Sequence, residues 1–111
     1  MNAPRTEMFR KLLDRDPNNP MVLYSLGSEL FKEGSYSEAR DYLRRAVENK
    51  PDYSVAYRML GRAHYELRED AEAREIFAKG CEVATQNGDL QTVKEIDVFQ
   101  RRLEKRAAGE G

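Results

Sequence analysis

The stretch Leu23-Tyr24-Ser25-Leu26-Gly27-Ser28-Glu29-Leu30 returns thirty-four residues later as Tyr57-Arg58-Met59-Leu60-Gly61-Arg62-Ala63-His64. The echo continues outward from this pair. Ala39, Leu43 and Ala46 return as Ala73, Phe77 and Gly80, and Pro17 returns as Pro51. A fixed period of this size marks a repeat architecture, in which each unit buries its apolar face only against its neighbours. Stacked repeats serve as recognition surfaces, so the period already bears on the class of function.

Six helical segments follow from the apolar spacing. Met8, Phe9, Leu12 and Leu13 predict a first helix over about residues 6–16. Asn19 can cap the second, with Pro20 at its first position, where the missing N–H does no harm. That helix carries Leu23, Leu26, Leu30 and Phe31 and stops near Gly34. Ser35-Tyr36-Ser37-Glu38 reads as a capping box opening the third. Asp52 or Ser54 can open the fourth, and Glu69-Asp70 the fifth. Gly88 supplies a left-handed stop and Asp89 the next cap, ahead of a last helix with Leu90, Val93, Ile96, Phe99 and Leu103 on one face. Acid-before-base pairs at i,i+4 are expected at Asp41–Arg45, Glu75–Lys79 and Asp97–Arg101, each adding about 0.2–0.5 kcal/mol.

The bulk numbers narrow the classes further. At 111 residues the chain makes one domain. Nineteen basic and 20 acidic residues leave a formal net charge of −1, so no global excess favours nucleic acid or an anionic membrane. Cys81 is the single cysteine, which excludes an internal disulfide and fits a reducing compartment. The residues from Met1 to Glu7 lack the apolar run of a signal peptide, and no stretch approaches the roughly 18 apolar residues of a membrane span. The expectation is a soluble, cytoplasmic protein with no nucleic-acid and no membrane partner.

Two in-register copies of Leu-Gly, followed by Ala-x-x-x-Leu or Ala-x-x-x-Phe and by Pro51, resemble the tetratricopeptide repeat, whose pattern is W-x2-L-G-x2-Y, A-x3-F and P. The resemblance covers nearly the whole chain. It implies an all-α fold of antiparallel helix-turn-helix repeats with about six helices. The units would be a leading half-repeat helix at 6–17, repeats at 20–53 and 54–87, a capping helix at 89–106 and a disordered tail at 107–111. Gly27, Gly61, Ala39 and Ala73 are small where paired helices should approach. Leu23 and Tyr57 replace the family's tryptophan, His64 its tyrosine, Arg68 the turn position held by Gly34, and Thr85 the closing proline.

The residues give little support to catalysis. His64 and Cys81 stand on different helices, both expected to face the interior, and a nucleophilic pair needs hydrogen-bond reach and an orienting group. No metal-ligand spacing and no phosphate loop is present, so neither a cofactor nor a metal is expected. The resemblance instead implies that the first helix of each repeat lines an inner groove. Its contact positions fall on Tyr24, Ser28, Phe31 and Lys32, and on Arg58, Arg62, Tyr65 and Glu66. Steps of four and three place each set on one helix face, and tyrosine and arginine are common interface anchors. Arg58 and Arg62 repel at i,i+4. Either a ligand's acidic group relieves them, or Glu66, Glu95 or Asp97 already pairs with them. Tyr24, Phe31 and Tyr65 either meet a ligand or pack against a neighbouring repeat or the cap.

Some family members grip a C-terminal carboxylate with a lysine–asparagine clamp. Here those positions hold Tyr24, Ser28 and Met59, so the clamp is absent. The basic end of the last helix, at Arg101, Arg102, Lys105 and Arg106, is favoured by the helix dipole alone. The expected function is a non-catalytic module binding a protein or peptide partner. The alternative is a weak homodimer built through an array end or the capping helix.

Overall fold

The computed structural model describes residues 3–109, with side chains from Arg5 onward. Helices α1 (Ala3–Arg15), α2 (Pro20–Lys32), α3 (Tyr36–Asn49), α4 (Ser54–Glu66), α5 (Asp70–Asn87) and α6 (Leu90–Ala107) follow one another through short turns. Each packs antiparallel against the next, and α4 also meets α6. The array is elongated, 44 × 30 × 20 Å, as expected when each unit contacts only its neighbours.

The repeat's small and large positions interlock as their chemistry demands. Leu23, Leu26, Leu43, Leu60 and Phe77 are fully buried. A Cβ on Gly27 would stand 2.6 Å from the Leu43 Cγ, and one on Gly61 would fall on the Phe77 ring. Glycine is therefore required by the close approach of α2 to α3 and of α4 to α5. Phe77 continues the stack outward, 5.7 Å from the Phe99 ring of α6, so α6 closes the apolar end of the array.

The helix ends explain themselves residue by residue. Asn19 Oδ1 accepts from the N–H groups of Met21 and Val22 at 3.0 and 3.2 Å. Asp89 caps α6 by accepting from the Thr92 N–H. Gly34, at φ 84°, reverses the chain after α2, and Arg68 takes the same left-handed turn at φ 62° after α4. In both units the next N–H closes on a helix carbonyl, Ser35 to Leu30 and Glu69 to His64, each at 2.9 Å.

That closure overturns the capping box expected at Ser35. Its side chain makes no capping bond, and the return bond to Glu38 is missing as well, because the Ser35 N–H is donated to Leu30 and Glu38 instead accepts from Arg10 at 2.8 Å. Two of the three expected surface pairs are likewise replaced. Arg45 reaches the Pro17 carbonyl at 2.7 Å, Asp41 takes Arg40, and Lys79 takes Glu82. Only Asp97–Arg101 forms as expected, at 2.9 Å.

The first helix begins at Ala3, earlier than the apolar spacing suggested. Of the expected tail, Ala107 ends α6 and Ala108-Gly109 turn away, while residues 110–111 lie outside the described residues.

Candidate functional site

The inner face is built by α2 and α4, with Arg5 of α1 and Tyr36 of α3 at its edges. Between them lies an open cavity of about 600 Å³. Six of the eight residues placed there from the sequence line it: Tyr24, Ser28, Phe31, Lys32, Arg58 and Arg62. The other two do not. Tyr65 is covered by α6, its ring 3.9 Å beneath the Arg106 guanidinium and edge-on to Phe99 at 5.3 Å. Glu66 is exposed at the end of α4 and acts on Arg62 through its charge.

The aromatics do both things left open by the sequence. Tyr24 packs on Tyr53 at 5.3 Å and Phe31 edge-on to Tyr36 at 5.0 Å, yet Tyr24 and Phe31 still face the cavity. The arginines differ from each other. Arg58 Nε lies 3.3 Å from Glu95 Oε1, so the capping helix supplies a partial counter-ion, although that N–H is not directed at the carboxylate. Arg62 lies over two rings instead, 4.9 Å from the Phe31 centroid and 5.0 Å from Phe99. Burial, and then the neighbouring Arg58, lower its pKa from the usual guanidinium value.

Among the described residues, three buried side-chain polar atoms make no hydrogen bond within the chain: Ser28 Oγ, Arg58 Nε and Arg62 Nε. All three belong to residues lining the same cavity. A buried donor left unmade costs about 1–3 kcal/mol, so their convergence is a chemical feature of this face.

Sequence reasoning missed Arg5, Ser25, Glu29 and Tyr36 in the cavity wall, and named Met59 only as a clamp position. Glu29 carried a signal nonetheless. It stands one repeat before Ala63, a small apolar residue in the same register, and the structure buries both.

His64 and Cys81 do not meet as a catalytic pair. His64, 2% exposed, faces Glu69 Oε1 through Nδ1 at 2.7 Å and Arg44 through Nε2 at 2.9 Å. Arginine can only donate, so Nε2 accepts and Nδ1 carries the proton. Both ring nitrogens are thus spent on structure. Cys81 is half-buried against the Phe77–Ile96 cluster.

An all-helical array of paired antiparallel repeats with an open inner groove defines a helical-repeat protein. The family profile described as tetratricopeptide repeat matches residues 7–54 and 24–89, and the chain belongs to that family. It is 32% identical over 99 residues to the TPR repeat-containing protein PA0015 of Pseudomonas aeruginosa, covering 89% of this chain and 94% of that one. The solution structure of protein BPP2914 from Bordetella parapertussis superposes with a TM-score of 0.81 at 33% identity, covering 95% and 91% of the two chains. The TPR2B domain of yeast Sti1, solved as a complex with pHsp70, shares the fold with a TM-score of 0.86 at 20% identity, covering 91% and 81%. No described helix is long and apolar enough to cross a membrane.

Proposed function

We propose that this chain is a non-catalytic interaction module that holds a peptide segment of a partner protein in the groove between α2 and α4. Tyr24 and Phe31 provide aromatic contact, and Ser28, Arg58 and Arg62 select an acidic or polar group. The observation that carries this reading is that the three residues with buried, unbonded side-chain polar atoms all line one cavity. A carboxylate entering the cavity would be an acceptor for these side chains once they turn toward it, and charge-assisted bonds of this kind are about twice as strong as neutral ones. That the Sti1 neighbour was solved as a complex with pHsp70 supports a protein or peptide partner by analogy. Two repeats make a short groove, so micromolar-range binding is expected. Affinity capture with the wild type and with the Arg58→Glu, Arg62→Glu double variant tests it. Partners retained equally by both would remove the groove from this role.

Self-association is the second reading, favoured by one observation. Met8 and Leu12 are 48% and 43% exposed on the outer side of α1, beside a shallow depression of about 450 Å³. Sedimentation across concentration decides it, because a monomer that persists at every concentration excludes the dimer.

A further inference from the structure

Glu29 is the anomaly of the groove. Its side chain is 8% exposed, in the slot that the second repeat fills with the fully buried Ala63. Burying a carboxylate is costly unless a cation compensates it. The compensation comes from Arg5, whose Nε stands 2.7 Å from Glu29 Oε1 and whose side chain is 65% exposed. The pair is therefore lopsided: a fixed, buried acid served by a long side chain that reaches in from the first turns of α1. Holding an exposed arginine in one geometry costs side-chain entropy, which the compensation of the buried carboxylate offsets. The acid is built into the wall, and its cation reaches it from the solvent side.

Both residues line the cavity that also holds Ser28, Arg58 and Arg62. The groove thus presents an acid on the α1 side and two arginines toward α6.

We propose that Glu29 is a second binding subsite, selective for a guanidinium, which Arg5 occupies in the free chain and which an arginine side chain of the bound peptide takes over. This rests on the groove reading above and sharpens it: the segment recognised is dipolar, with an arginine for Glu29 and an acidic residue for Ser28, Arg58 and Arg62. A guanidinium is the expected occupant because Arg5 already shows that its geometry fits the site. Arg5 then acts as an internal competitor, which lowers apparent affinity by the fraction of molecules in which Glu29 is free.

The test is a set of NMR titrations of the 15N-labelled full chain with N-acetyl-arginine amide, N-acetyl-lysine amide and N-acetyl-aspartate amide. The arginine probe is expected to shift the amides around Glu29, and Arg5→Ala to tighten its binding about fivefold to tenfold. Adding Glu29→Gln to Arg5→Ala should abolish that binding, with a dispersed spectrum confirming the fold. Arginine-probe affinity unchanged by Arg5→Ala overturns the proposal, and this variant alone decides it should Glu29→Gln fail to fold. Equal binding of the lysine probe overturns the guanidinium assignment. The aspartate probe reports on the arginine side separately. If it binds at Arg58 and Arg62 while the arginine probe does not bind, only the Glu29 subsite falls. If neither probe binds the folded protein, the groove reading falls with it.

Discussion

Arg62 on α4 lies over the ring of Phe31 on α2, 4.9 Å from its centroid, and over that of Phe99 on α6 at 5.0 Å. Two repeats and the cap thus converge on one guanidinium. Cation–π contact at a desolvated site is worth about 0.5–2 kcal/mol. Against it stand the loss of hydration and the unmade Nε–H bond, of similar size. The two nearly cancel, so Arg62→Met should leave thermal stability within about 1 kcal/mol of wild type while weakening acidic-peptide binding. Thermal unfolding followed by circular dichroism checks the first half. A loss well beyond that would mark Arg62 as a packing residue.

The repeat's glycines make the opposite prediction. Gly61→Ala places a methyl on the Phe77 ring, and overpacking of this kind costs about 1–3 kcal/mol. The Gly61→Ala, Phe77→Leu double variant should recover part of the loss, because the smaller partner vacates the contested space. A double-mutant cycle by chemical denaturation reads the coupling directly. Additive losses would show that the two side chains do not compete.

Arg68 should be improvable. It holds a left-handed turn at φ 62° that Gly34 holds in the first repeat, and that conformation costs a residue with a Cβ roughly 1–2 kcal/mol. Part of the gain from glycine is lost to its greater freedom when unfolded. Arg68→Gly is therefore expected to stabilise by about 0.5–1 kcal/mol. A lowered midpoint of unfolding would indicate that Arg68 contributes through its side chain.

Acid should weaken the fold through two carboxylates. Hydrogen bonds from Ser54 and Thr92 hold Asp89 below its usual pKa. Burial pushes Glu69 upward, but hydrogen bonds from His64 and Arg40 outweigh it and hold Glu69 below the usual value as well. A group depressed in the folded state binds protons more readily when unfolded. Its contribution is complete above the ordinary carboxylate range near pH 4 and is lost as pH falls through the lower folded value. Stability should therefore be flat with respect to these groups near neutral pH and fall below about pH 4. Asp89→Asn should flatten part of that fall, and a pH series of denaturation midpoints measures it.

The repeat made the fold readable because its information is local and doubled. Leu26-Gly27 against Leu60-Gly61 set the helix pairing, and Asn19, Gly34, Gly88 and Asp89 set several of the turns. The capping box at Ser35 misled because the same N–H serves two motifs, and the carbonyl of Leu30 captures it first. Tyr65 was placed on the open face by its register, yet α6, which lies outside the repeat, covers it. The buried Glu29 and its partner Arg5 belong to a contact between α1 and α2. No periodic rule describes that contact, so comparison with Ala63 exposed only half of it.

The proposed peptide site is the cavity between α2 and α4, with unbonded polar atoms at Ser28, Arg58 and Arg62. Its most direct measurement is an amide-shift titration with capped alanine hexapeptides carrying a single aspartate. Shifts concentrated at those three residues, and lost in the Arg58→Glu, Arg62→Glu variant, are the expected result. Shifts on the outer faces of α3 and α5, or a titration indifferent to the double substitution, would contradict it.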